Sequence, residues 1–193
     1  GDVTALVQSL GLSQVALNGW SLGGAVAVEA ADALGSSCAA LVLTCGATPA
    51  YLQKPDFPHG GTEDALAGTL EAMAADRANF LRALSEGICS RETSEATIQW
   101  MWQIFMDGSP MAARSLAELG PLDQREILGN LDLPILSFVG GCDQVVDPAV
   151  CRSVADYHNN TRIVEFEAAG HAPQIEESEG YHEALIAFLN ENL

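Results

Sequence analysis

Lysine is almost missing from this sequence. Lys54 is the only one, and lysine and arginine together number 8 against 26 aspartates and glutamates, a net charge of −18. A field of that sign repels nucleic acid and anionic membrane surfaces, so neither is an expected partner. Long apolar runs are missing too: none approaches the ~20 residues that a membrane-spanning helix needs. The five cysteines, Cys38, Cys45, Cys89, Cys142 and Cys151, contain no C-x-x-C pair and are odd in number. That pattern fits reduced, mostly buried thiols of a cytoplasmic protein rather than a disulfide framework or a zinc site. No metal and no cofactor is expected. The opening Gly1-Asp2-Val3 has no Met, no basic segment and no signal-like apolar stretch, and it gives no reading of targeting.

What is present suits one domain carrying an insertion. The chain has 193 residues, of which 48% are hydrophobic, enough to build a core. Val3 to Leu10 reads as a short amphipathic helix and Val15-Ala16-Leu17 as the end of a buried strand. Small and apolar residues from Leu22 to Leu34 predict a helix packed closely on a sheet, ended by Gly35. Ala39 to Leu43 is a second buried strand. Strand, helix, strand is the pattern of a parallel α/β sheet. From Thr62 to Gly120 only helical periods occur. Strand signals resume at Pro134–Val139 and Arg162–Phe166, with helices predicted from Pro148 to Tyr157 and from Ser178 to Leu189. The expected division is a core made of residues 1–48 and 121–193, with an all-helical cap at 49–120.

Gly19-x-Ser21-x-Gly23, within "NGWSLGG", stands where an apolar strand turns directly into a helix. A serine lifted clear of the sheet on such a turn is cramped, and glycines two before and two after it relieve the collision with strand and helix. The helix N-terminus aims its free N–H groups at the serine, so the Leu22 N–H is the expected oxyanion donor. The competing reading makes Ser21 an ordinary helix cap.

A serine hydroxyl needs a base, and the base needs a group that fixes its tautomer. His171, in "EAAGHAPQ" after the last strand, is the candidate base. His59, His158 and His182 lie in loop or polar helical contexts that suit solvated surface roles. Asp143, in "FVGGCDQVVDP" at the carboxyl end of a strand, is the candidate acid. Asp147, followed by Pro148, reads instead as an N-cap and N1 pair. The order is Ser21, Asp143, His171, which is neither the chymotrypsin nor the subtilisin order.

With "GWSLGG", "GGCDQVVDP", "GHAP" and the helical stretch between Pro49 and Gly120, the chain resembles the α/β-hydrolase superfamily along nearly its whole length. It looks like the small capped ester hydrolases, namely the cofactor-free haloperoxidase/arylesterase group and the carrier-protein methyl esterases. Serine rather than aspartate at position 21 separates it from the haloalkane-dehalogenase and epoxide-hydrolase branches. The resemblance implies a serine hydrolase of a small carboxylic ester or lactone. Peroxide-dependent halogenation or perhydrolysis, a carrier-protein methyl ester, and a non-turnover ligand receptor are the rival readings. The cap helix bearing Trp100, Met101, Trp102, Phe105 and Met106 is expected to give the substrate an apolar wall. Trp100, Trp102, Phe105 and, from the elbow, Trp20 are the candidate pocket residues, although a helix spreads near-consecutive residues around its circumference and must leave part of that set in the core.

In that superfamily the second oxyanion donor comes from an early strand's loop, often in an H-G context. The only such string here, Pro58-His59-Gly60-Gly61, follows the elbow and so lies on the wrong side of it. An initial hairpin and a strand–helix–strand unit, on the order of 60–90 residues, are therefore expected ahead of Gly1, supplied by a missing segment or a second chain. Without them the sheet is expected to keep an unpaired edge and the 193 residues to be inactive.

Overall fold

Four parallel strands form one sheet in the order β1-β2-β3-β4. They are β1 (Val15–Trp20), β2 (Cys38–Thr44), β3 (Ile135–Gly140) and β4 (Thr161–Phe166). The structure, a computed structural model, describes residues 1–193, the side chain of Ala112 apart. Helix α1 (Asp2–Ser9) precedes the sheet, and α2 (Leu22–Leu34) connects β1 to β2. Five helices stand between β2 and β3: α3 (Glu63–Ala75), α4 (Arg77–Gly87), α5 (Glu95–Asp107), α6 (Ala112–Ala117) and α7 (Arg125–Asn130). Helix α8 (Pro148–Tyr157) joins β3 to β4, and α9 (Pro173–Glu176) and α10 (Ser178–Asn192) complete the order. None of these helices is long and apolar enough to cross a membrane.

Strands β2 and β3 read as near-continuous apolar runs because both faces of the sheet are covered. Leu41, Leu43 and Ile135 pack with Val28 and Ala31 of α2, Leu128 of α7 and Val154 of α8. The alternate residues Ala40, Val42, Leu136 and Phe138 pack on the other face, against Tyr181 and Phe188 of α10. Register aligns Leu17, Leu41 and Ile135 across three strands. Each fully buried Leu, Ile or Val of this kind contributes about 1.5–3 kcal/mol of apolar transfer free energy. Strand β1 pairs on one side only, with β2, and it continues to Trp20, beyond the Leu17 expected from its apolar residues.

The long connection between β2 and β3 is helical, and its helices start where the sequence supplies caps. The side chains of Thr62, Asp76 and Ser94 accept hydrogen bonds from the N–H groups of Ala65, Asn79 and Thr97 at the heads of α3, α4 and α5. Each such cap satisfies one orphan donor of the first turn. Asp147 caps α8 through the Ala149 N–H, with Pro148 at the first helical position. Because all four strands are parallel, their carboxyl ends share one edge. The loops that leave it after β1, β3 and β4 carry Ser21, Asp143 and His171.

Candidate active site

Ser21 occupies a left-handed backbone conformation, φ 56° and ψ −125°, that only glycine adopts without strain. Its main chain is held on both sides. The Ser21 N–H donates to Thr44 O at 3.0 Å, while Ser21 O accepts the N–H groups of Gly24 and Ala47, each at 2.9 Å. The hydroxyl makes no helix-capping hydrogen bond, so the serine is not an ordinary cap. It faces a cavity instead.

The glycines around it differ from the motif's simple reading. A methyl group at Gly19 would overlap Gly23 O, so that glycine is obligatory. Gly23 itself faces open space, and a methyl group added there would have nothing within 4 Å. The tight contact after the serine falls one residue later, where a Cβ on Gly24 would stand 2.7 Å from Gly46 Cα. The second steric requirement of the elbow is thus a glycine-to-glycine contact between α2 and the loop after β2.

His171 is 3% exposed, and its Nδ1 lies 2.7 Å from Oδ2 of Asp143, itself 4% exposed. The other carboxylate oxygen, Oδ1, accepts the N–H groups of Val145 at 2.8 Å and Val146 at 3.0 Å. An ionised carboxylate accepting three hydrogen bonds is fixed in place, and it holds the imidazole in the tautomer with a proton on Nδ1 and a free Nε2. The histidine backbone is tied down equally well. Its N–H donates to Ile88 O at 2.7 Å, and its carbonyl accepts the Trp20 indole N–H at 2.7 Å. The Trp20 and His171 rings are 5.5 Å apart.

Cys45 lies behind this pair. One ligand-type atom each from Cys45, Asp143 and His171 falls within 4.8 Å of the others, and all three residues are buried. Asp143 and His171 are engaged with each other, however. Burial, followed by the neighbouring Cys151 and Asp143, pushes the Cys45 thiol far above its usual value. A neutral thiol beside a closed hydrogen-bonded pair suits packing better than metal ligation, which requires the thiolate.

Ser21 and His171 open on a cavity of about 350 Å³, within the usual range for small-molecule sites. Its walls include Trp20, Leu22, Tyr51, Phe80, Leu84 and Phe105. Phe105 stacks 6.3 Å from Trp20. The other tryptophans expected in the wall are elsewhere. Trp100 is 54% exposed on the outer face of α5, and Trp102 donates its indole N–H to Ala78 O at 3.1 Å, with Arg82 over its ring. Neither lines the cavity. Consecutive helical residues point 100° apart, so α5 turns Phe105 inward and Trp100 outward. Met101 is buried with Ile88 and Ala172.

Among the remaining histidines, His182 is exposed and His59 half-buried against Phe57. His158 departs from the expected surface role: it is 5% exposed, with Nδ1 2.9 Å from Thr161 Oγ1 and Nε2 3.2 Å from Leu131 O.

One residue at this site carries no signal in a motif scan. Glu176 receives the Gly170 N–H at 2.7 Å on Oε1, and the N–H groups of Ser90 at 2.8 Å and Arg91 at 3.1 Å on Oε2. It joins the His171 loop to the turn between α4 and α5. A methyl group on Gly170 would stand 2.7 Å from Ser90 N, so the two loops meet without room for a side chain.

Known proteins resemble this chain along most of its length. The alpha/beta hydrolase fold family matches residues 1–178. AB hydrolase superfamily protein YisY of Bacillus subtilis is 26% identical over 191 residues, covering 98% of this chain and 71% of its own length. A pimeloyl-[acyl-carrier protein] methyl ester esterase of Nitrosomonas europaea is 29% identical over 161 residues, covering 80% of this chain and 63% of its own length. Among solved structures, the esterase EaEST from Exiguobacterium antarcticum superposes with a TM-score of 0.93 at 27% identity, over 98% of this chain and 71% of that one. The chain therefore spans 63–71% of the length of these relatives.

Proposed function

The chain belongs to the alpha/beta hydrolase fold family, and on that premise we propose that the protein is a serine hydrolase of a small carboxylic ester or lactone. One observation carries the reading: the 2.7 Å bond that ties His171 Nδ1 to Asp143, beside a strained serine on the same cavity. Ser21 Oγ attacks the carbonyl carbon while His171 Nε2 takes the hydroxyl proton. The Leu22 N–H, at the first residue of α2 and without a carbonyl partner in its own helical ladder, donates to the developing oxyanion. His171 gives the proton to the leaving alkoxide as the tetrahedral intermediate collapses to acyl-Ser21 and alcohol. It then draws a proton from water, which attacks the acyl carbonyl carbon, and returns that proton to Ser21 Oγ as the acyl–Oγ bond breaks and the acid leaves. Asp143 stabilises the imidazolium formed in each half-reaction.

In this reading residues 49–120 act as a helical cap over the core of 1–48 and 121–193, and Trp20, Phe105 and Leu84 give the substrate an apolar wall. Five unpaired cysteines fit a cytoplasmic setting. A second reading, hydrolysis of a methyl ester of an acyl group held on a carrier protein, is favoured by the 29% identity to an esterase of that description.

The test is steady-state hydrolysis of p-nitrophenyl acetate by the purified full-length protein and by its Ser21→Ala and His171→Ala variants. Each substitution is expected to lower kcat by about 10,000-fold or more. Retention of a tenth of the activity by Ser21→Ala would remove the proposal.

A further inference from the structure

Ser21 and His171 stand on one cavity, yet the sheet itself does not tie them together. Ser21 follows β1 and His171 follows β4, the two outer strands of the order β1-β2-β3-β4. Neighbouring strands lie about 4.8 Å apart, so roughly 14 Å of sheet separates these two. The Ser21 main chain is pinned to Thr44 and Ala47, at and just beyond the end of β2. The His171 ring is pinned to Asp143, just beyond the end of β3. Each tie reaches a neighbouring loop, and neither sets the distance from nucleophile to base.

One hydrogen bond spans the gap. The Trp20 indole N–H, from the last residue of β1, donates to His171 O at 2.7 Å. No other hydrogen bond among the described residues joins residues 18–24 to residues 167–177. The donor is held firmly. The Trp20 backbone is in register with Thr44 of β2. Its ring packs with Ile88, Met101 and Ala172, 6.3 Å from the Phe105 ring and 5.5 Å from that of His171.

The contact meets a local need on each side, since a half-buried indole N–H and a loop carbonyl both require a partner. Its place in the fold gives it more. With Nδ1 held by Asp143, the direction of Nε2 follows from where the His171 backbone stands. The bond from the His171 N–H to Ile88 O refers that backbone to the turn after α4. The Trp20 bond refers it to the residue beside the nucleophile.

Taking the serine-hydrolase reading as its basis, we propose that Trp20 is a positioning residue: its indole N–H holds His171 at the distance from Ser21 that proton transfer needs. This role is separate from the apolar wall that the same ring gives the cavity.

A double-mutant cycle distinguishes the two roles, because a residue acting through His171 has nothing to position once the imidazole is gone. The rate of fluorophosphonate labelling at Ser21 is measured for the full-length protein, Trp20→Phe, His171→Ala and the double variant. Trp20→Phe is expected to slow labelling about 10- to 100-fold in the parent, the scale of a small displacement of a reacting group, and less than about twofold in His171→Ala. Phenylalanine is smaller than tryptophan, so β-(3-benzothienyl)alanine at position 20, which exchanges only the indole N–H for sulfur, goes through the same cycle. It is expected to give the same pattern, and it decides where the two replacements disagree. A fall in the parent that exceeds the fall in His171→Ala by less than about fivefold assigns Trp20 to the wall or to folding. That result overturns this inference and leaves the serine hydrolase standing. An unlabelled Ser21 in the parent, or equal labelling rates in the parent and His171→Ala, overturns the underlying reading and this inference with it.

Discussion

Glu176 accepts the Gly170 N–H at 2.7 Å, one residue before His171. The same carboxylate receives the Ser90 and Arg91 N–H groups, so one acceptor fixes both the base and the turn between α4 and α5. A carboxylate suits three converging donors because both its oxygens only accept, whereas an amide turns a donor toward one of them. Glu176→Gln is therefore expected to behave like Glu176→Ala and not like the parent. Both should lower kcat by about 10- to 100-fold, the scale of a small displacement of a reacting group, with a smaller change in KM. Parental kcat and KM in Glu176→Gln would exclude a positioning role.

The glycines of the elbow predict opposite outcomes for neighbouring substitutions. Gly24→Ala drives a Cβ to 2.7 Å from Gly46 Cα, and overpacking of this kind costs about 1–3 kcal/mol. Gly23→Ala meets open space in a helix and should raise stability by about 0.5–1 kcal/mol. Urea unfolding of the two variants checks the contrast. Equal losses in both would contradict it.

Burial lowers the affinity of His158 for a proton below the usual histidine value of 6.5, against the smaller opposing effects of Leu131 O and Asp132. Between that lowered value and 6.5 the unfolded chain binds a proton that the folded chain does not. Stability therefore rises with pH across this window and is lost as pH falls below about 6.5. The urea midpoint should drop more steeply from pH 7.5 to 5.5 in the parent than in His158→Gln. Parallel curves would show that His158 does not set the slope.

The thiols should report burial directly. Cys38, Cys45 and Cys151 are buried, and burial raises the pKa of each, as it does for half-buried Cys89. Cys142 is exposed. Since the thiolate is the reactive form, a disulfide reagent should label Cys142 first and Cys89 slowly, with the other three reacting only on unfolding. Peptide mass mapping reads the order. Early labelling of Cys45 would mean that the region behind Asp143 opens readily.

Signals confined to a short stretch were legible from the residues alone. A serine between glycines at a strand end, Asp143 after β3, His171 after β4, and Asp147 before Pro148 each declare a local geometry. Contacts made across the chain were not legible. The motif's spacing marks Gly23, but the steric demand falls on Gly24 because Gly46 lies across from it. Glu176 sits in a bland acidic helix, and its partners come from a turn remote in sequence. His158 looks like a surface residue until Leu131 O and Thr161 close over it. Trp100 and Trp102 have the composition of a pocket wall, but which face of α5 turns inward is decided by packing. Helices α7 and α9 are too short to show an apolar period, at 6 and 4 residues.

The central claim is that Ser21 is a nucleophile activated by His171 and Asp143. Incubation with a fluorophosphonate, followed by peptide mass analysis, tests it without requiring the natural substrate. The account predicts one adduct, on Ser21, whose rate of formation falls by at least about 100-fold in His171→Ala. An unlabelled Ser21, or labelling at the same rate without His171, would contradict it.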